Sequence, residues 1–356
     1  MAHAMMAANP GSIILAAADL LALSTCIGIL GFRIWVIRFK DELPPPSTAA
    51  VVPLWWLVGI CLAVLTLSSV GELIRRTVEM SGRPLAEVGL VLPQVLSQTH
   101  FGRVWLLRPV ALLVLWSGWR TRPRLGSPAI TAVMLAAASL IAASRSLSGH
   151  AADWGDITLP ELVDWSHLLA VSLWGGSLIG LTLTGFRSLT EAADERRQFV
   201  AAMVRRWSTL AGVALTVVAL TGIYNAWLEL EHFEAFWQTA YGRILLLKLS
   251  LVLIIVVLGA SNRYLGIPSL LAWAGGSPGS AKPSGLLATT LSFLTLERRR
   301  AGKHGPLERF VRRAKVEGVL MIGALLCVTI LLGQMPARHQ SRVPASHHTH
   351  AKGMAR

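Results

Sequence analysis

SGHAADWGDITLPELVDWSHLLAVSLWGG, residues Ser148–Gly176, decides how the rest of the chain is read. It begins as a polar, acidic loop carrying His150 and becomes an apolar segment that holds His167 about two helical turns inside it. Continued to Phe186, the apolar segment is long enough to cross a bilayer, which takes about 20 residues of helix. An imidazole is costly in hydrocarbon, and ionisable residues inside a span usually face a bundle interior, a cavity or a ligand. His167 is therefore the first candidate functional residue, beside the plainer reading of a hydrogen-bonded structural histidine.

The rest of the chain is built from segments of the same kind. Of its 356 residues, 53% are hydrophobic and 15% charged, against about 25% charged in soluble domains. Apolar runs of spanning length recur at Ser12–Ile37, Val51–Ile74, Phe101–Trp119, Pro128–Ser144, Leu159–Phe186, Trp207–Leu228, Tyr241–Tyr264 and Val316–Met335. The expected fold is all-α, a polytopic membrane protein of eight transmembrane helices. No Lys or Arg precedes the first run, which continues through Trp35, so it reads as a retained span and not a cleaved signal.

Residues 1–120 hold the first three spans, 121–265 the fourth to seventh with the His-bearing outer loops, 266–315 a basic loop, 316–336 the eighth span and 337–356 a His-containing tail. Within the basic loop, Gly275–Gly285 is a flexible linker by composition. Leu286–Arg300, apolar with a basic end, suits a helix lying on anionic membrane lipid. Trp35, Trp55, Trp56, Trp154, Trp165, Trp207, Trp227 and Trp237 lie near span ends and read as interfacial anchors. Gly28, Gly31, Gly175, Gly176, Gly180, Gly212 and Gly222 are small residues of the kind that let helices approach closely.

A net charge of +14 would suggest nucleic acid in a soluble protein, but here the cations follow topology. With both termini extracytoplasmic, 21 of the 33 Lys and Arg fall in cytoplasmic connections and 10 outside, as the positive-inside rule requires. The same orientation puts nine of the ten histidines on or near the outer face, all but His304. Met1, Met5, Met6, Met80, Met335 and Met354 fall on that side too. Imidazole and thioether together are the ligand set of copper, and Met favours Cu(I). Cys26, Cys61 and Cys327 are mid-span, odd in number and without a CxxC spacing, so they read as buried small residues.

The sequence also repeats itself. FGRVWLLRPVALLVLW from Phe101 aligns with YGRILLLKLSLVLIIV from Tyr241, and DLLALSTCIGILG from Asp19 aligns more weakly with HLLAVSLWGGSLIG from His167. Each pair lies four spans apart and points the same way, which implies a parallel 4+4 duplication with a site between the halves. Asp19, Arg108, His167 and Lys248 then share one layer, about 10–12 Å below the outer start of their spans. Unpaired charges there cost about 2.5–3.5 kcal/mol each, so Asp19 should pair with Arg108 or Lys248. At the inner side, Glu317 with Asn262 and Arg263 forms a second polar cluster.

FGRVWLLR from Phe101, SGHAAD from Ser148, DWSHLLAVSLWGGSL from Asp164, LTGIYNAW from Leu220, YGRILLLKLSLVLIIVVLGASNRY from Tyr241 and RRAKVEGVLMIGALLCVTILLGQMP from Arg312 cover most of the chain beyond residue 100. In this combination the chain resembles the CopD copper resistance family of bacterial inner-membrane proteins. The resemblance implies eight spans, a role in copper homeostasis and an extracytoplasmic copper-binding partner of the CopC type. No Walker motif or aspartyl-phosphate DKTGT is present, which disfavours an ATP-driven pump, and no catalytic residues stand out. Two other readings stay open: a haem-bearing membrane redox protein, which needs paired histidines at matched depth, and a scaffold without transport. A Soret band would identify the first.

The expected site gathers His100, His150 and His167 around one copper ion near the outer face, with His232 or Met335 completing the shell. Consecutive spans joined by short loops are usually neighbours, which brings these histidines to one region. The tail histidines His339, His347, His348 and His350 are expected to capture metal loosely, because a flexible site must be ordered on binding.

Overall fold

The computed structural model describes residues 10–37, 48–121, 127–149, 155, 157–189, 194–230, 232–273 and 306–332. It is all-helical, and eight of its helical segments are long and apolar enough to cross a membrane. They are α1 (Pro10–Trp35), α2 (Thr48–Ser81), α4 with α5 (His100–Trp105, Leu107–Arg120), α6 (Pro128–Ser146), α7 (Leu159–Leu189), α8 (Asp194–Leu230), α10 with α11 (Ala240–Ser261, Ile267–Trp273) and α12 (Pro306–Leu332). Two short helices, α3 (Val88–Gln98) and α9 (Ala235–Gln238), precede the third and seventh spans.

The helix at the centre is α1. Leu23, Cys26, Ile27, Ile29, Leu30 and Phe32 are wholly enclosed, as expected of a helix that is apolar on every side. It packs against α2, α6, α7, α8 and α12. At the rim apolar residues point outward: Val213 and Leu220 on α8 and Leu247 on α10 are exposed. In a bilayer these surfaces meet lipid, where leucine outside is as well solvated as leucine inside.

The α1–α7 crossing is made by glycine. A Cβ at Gly28 would lie 2.2 Å from the Gly176 backbone, and one at Gly176 would lie 2.1 Å from the Ser24 carbonyl oxygen. Beside this contact Ser172 donates to Ser24 Oγ at 3.1 Å. One turn away, Gly180 makes room for Phe32, whose Cδ1 would be 2.9 Å from an added Cβ.

Helix starts follow local chemistry. Ser127 accepts from Ile130 N at the head of α6, with Pro128 in the first turn where its missing N–H costs nothing. At the head of α7 the Thr158 backbone N–H donates to Glu161 Oε2 at 3.2 Å, one half of a capping box.

Several expectations are revised. The second, sixth and eighth spans extend beyond their apolar runs, because helix continues after hydropathy falls. Trp35, Trp56, Trp227 and Trp237 are exposed as anchors should be, but Trp55 and Trp207 are buried. Trp55 donates to the Trp119 carbonyl and Trp207 to Ser177 Oγ, so they serve helix packing. Trp165, half-buried, donates to the Ser139 carbonyl. Trp154 and the Leu286–Arg300 segment lie outside the described residues. The three cysteines are free and buried.

Candidate functional site

Four spans converge on Asp19. Its Oδ1 accepts from Arg108 Nη1 at 3.0 Å and from Ser68 Oγ at 2.8 Å. Its Oδ2 accepts from Arg108 Nη2 at 3.3 Å and from Arg145 Nη1. Arg108 also donates to Ser144 Oγ and Ser69 Oγ, each at 3.1 Å. Asp19 and Arg108 are buried, at 4% and 6% exposure, so this is a shielded, fully hydrogen-bonded ion pair. The expected Asp19–Arg108 pair is present, and Arg145 replaces Lys248 as the second cation. From the last turn of α6 the long Arg145 side chain reaches inward to Asp19.

Lys248 lies in the other half, near His167 and Asp164. His167 projects from α7 toward α8, where its Nδ1 is 2.8 Å from Thr221 Oγ1. The Thr221 hydroxyl has one proton, and it donates to the Val217 carbonyl at 2.6 Å. With that proton on the Val217 carbonyl, Thr221 accepts from the His167 tautomer that carries its proton on Nδ1, and in that tautomer Nε2 keeps its lone pair. Gly222, the next residue, gives the ring room: a Cβ there would be 3.3 Å from His167 Cε1.

A cavity of about 1250 Å³ spans both centres. All eight spans contribute, among them Asp19, Arg108, His167, Lys248 and Met321. His232 also lines it. Gly175 makes way for Met321, whose Cγ would be 2.8 Å from an added Cβ. Thr221, Arg145 and Met321 were not singled out in the sequence. The threonine is the second residue of the quoted LTGIYNAW motif, and Met321 reads as one more apolar residue of the eighth span.

His100 opens α4, half-buried, and is not among the residues lining the cavity. His150, Met335, His339, His347, His348 and His350 lie outside the described residues. Among the described residues no group of three or more His, Cys, Asp or Glu is arranged to hold a metal.

At the opposite end of the bundle Asn262 Nδ2 donates to Glu317 Oε1 at 2.6 Å. Asn262 opens a π turn, Asn262–Gly266, which joins α10 to α11. Arg263, grouped with this pair from sequence, turns away and donates to the Ser208 carbonyl at 2.9 Å. Arg313 takes its place, 3.5 Å from Asn262 Oδ1.

The two aromatic-Gly-Arg segments fold alike. Thr99 and Thr239 cap them with φ −100° and ψ 149° and 152°, and each accepts at 2.9 Å from the glycine three residues on. A Cβ at Gly102 would be 2.1 Å from the Val95 carbonyl oxygen, and one at Gly242 2.0 Å from that of Ala235.

Together these features define a polytopic helical membrane protein with a closed ion-paired centre and a histidine-bearing centre on one shared cavity. The sequence pattern of copper resistance protein D matches residues 201–331, and that of the copper resistance protein D-like N-terminal domain matches residues 5–157. The chain belongs to the copper resistance protein D family. It is 27% identical over 261 residues to the copper transport protein CutJ of Bacillus subtilis (strain 168), covering 71% of this chain and 46% of that protein. It is 31% identical over 183 residues to the inner membrane protein YebZ of Escherichia coli (strain K12), covering 50% and 59%. The chain thus spans about half the length of the curated relatives it matches. No solved structure matches it.

Proposed function

We propose that the chain binds copper from the extracytoplasmic side in the shared cavity, with His167 as the anchoring ligand, and carries it across the inner membrane in copper homeostasis. The observation that carries this reading is the His167–Thr221 pair. A metal-binding imidazole needs one nitrogen held as a donor so that the other presents its lone pair, and such outer partners orient and tune the ligand. His232, on the same cavity, and His100, His150 and Met335, at the same end by sequence, are the candidates to complete the shell. His339, His347, His348 and His350 form a loose capture tail. A CopC-type protein is the proposed extracytoplasmic partner.

The same reading treats the chain as a parallel 4+4 duplication with both termini outside. Three contacts across the α1–α7 crossing support it: Ser24 with Ser172, Gly28 with Gly176, and Phe32 with Gly180. Each pairs residues equivalent in the alignment of Asp19 with His167, as contacts across a two-fold axis must. The matched caps at Thr99 and Thr239 support it independently. On this view Asp19 with Arg108, and His167 with Lys248, are equivalent centres that have diverged, one closed by an ion pair and the other left to bind.

The test is copper bound per purified chain. His167→Ala should abolish stoichiometric binding. Thr221→Val, which removes the acceptor for Nδ1–H, should weaken it about 10–100-fold. Full binding by His167→Ala would end the assignment.

A further inference from the structure

Glu317 is the buried titratable group that the copper reading does not use. It is 1% exposed and lies inside the span Glu308–Leu331. Its Oε1 is satisfied by Asn262, but its Oε2 is buried with no hydrogen-bond partner. A carboxylate with a bare oxygen in low dielectric bears a desolvation penalty of several kcal/mol. Gly259, one turn before Asn262, faces that oxygen: a Cβ there would sit 3.9 Å from it. The missing side chain leaves open space beside Oε2.

We propose that Glu317 and Asn262 form a proton-binding site beneath the cavity floor, exchanging with water at the end of the bundle away from His167. A proton from that water forms the Oε2–H bond and neutralises the carboxylate, while Asn262 goes on donating to Oε1. The polarity of the amide selects a proton over a metal ion. Arg313 holds Asn262 Oδ1, so the N–H side faces the carboxyl, where a metal cation would need an oxygen. Arg313, one turn earlier on α12, is the charged group linked to this centre. The surrounding elements otherwise direct their charges elsewhere: Arg263 to the Ser208 carbonyl, Arg33 over the Trp55 ring at 5.2 Å and Arg206 toward the Val36 carbonyl. Segment α11 carries no ionisable side chain, and α7 meets the neighbouring Gly318 with Leu178.

Asn262 keeps the register of α10, with its N–H on the Leu258 carbonyl, and the π turn that it opens shifts the register of α11; such turns recur at functional positions. Met321, one turn beyond Glu317 and about 6 Å along the axis, lines the cavity. Protonation therefore changes charge directly under the floor.

Infrared difference spectroscopy of the full chain in bilayers tests this. Subtracting Glu317→Gln from the unsubstituted protein at neutral pH should leave a protonated-carboxyl C=O band, which converts to carboxylate bands as pH rises. Asn262→Ala retains the carboxyl and should move that band to higher frequency, a response that a simple helix anchor would not give. Carboxylate bands alone across the pH range would overturn the proposal. So would a C=O band that persists unchanged to alkaline pH in the folded protein, or one that responds to Na⁺ or copper and not to pH. Glu317→Gln should keep its copper at His167, so failure here and failure of the copper reading are distinguishable.

Discussion

Asp19 is one carboxylate between two guanidinium groups, Arg108 and Arg145, with three serine hydroxyls filling the remaining positions. Removing one partner of a buried pair is far more damaging than the net worth of the pair, because the survivor is left charged and desolvated. Arg108→Ala should destabilise the protein by about 3 kcal/mol, the low end of the usual cost, since Arg145 still neutralises Asp19. Arg108→Lys should recover only part of this, because one ammonium cannot reach Ser144, Ser69 and both Asp19 oxygens at once. Thermal unfolding in detergent measures both; equal midpoints for Arg108→Ala and the unsubstituted protein would show that the centre is not structural. The pairing was legible from depth, since Asp19 and Arg108 lie equally far into their spans. Arg145 and Lys248 were not, because a long side chain can leave the level of its own Cα, and sequence position records only the Cα.

Between elements, backbone contact does what side chains do in a soluble core. At the α1–α7 crossing any side chain on Gly28 meets the main chain of Gly176, which cannot rotate away. Gly28→Val should therefore force the helices apart and cost about 3 kcal/mol or more, the upper range for overpacking. Gly89→Val, where nothing lies within 4 Å, should be near neutral. Yield and melting midpoint of the two variants make the comparison, and equal behaviour would contradict the crossing. Thr99→Ala and Thr239→Ala should each cost about 1 kcal/mol as lost caps. The spans themselves were legible because hydrocarbon demands a minimum apolar length. Helix α3 was not, since VGLVLPQVLSQ is too short to span and carries Pro93. The π turn was invisible for another reason: one inserted residue leaves the composition of SNRYLG unchanged.

For the whole molecule, one set of fusions tests orientation and duplication separately. A parallel 4+4 arrangement requires equivalent connections of the two halves to share a side. The loop after the second span, at Arg83, must then report the same compartment as the loop after the sixth, at His232. Charge sets which compartment that is: the cations crowd into the connections after the first, third, fifth and seventh spans, and cytoplasmic loops collect Lys and Arg. Reporter fusions after Arg122 and Lys303 should report cytoplasm, and fusions after Arg83, Asp156, His232 and His350 should report the opposite side. A uniformly reversed pattern would keep the duplication but move His167, with the acidic loop before it, to the cytoplasmic half, and copper would then have to enter from inside. A split between Arg83 and His232 would break the duplication itself, and with it the equivalence of the Asp19 and His167 centres.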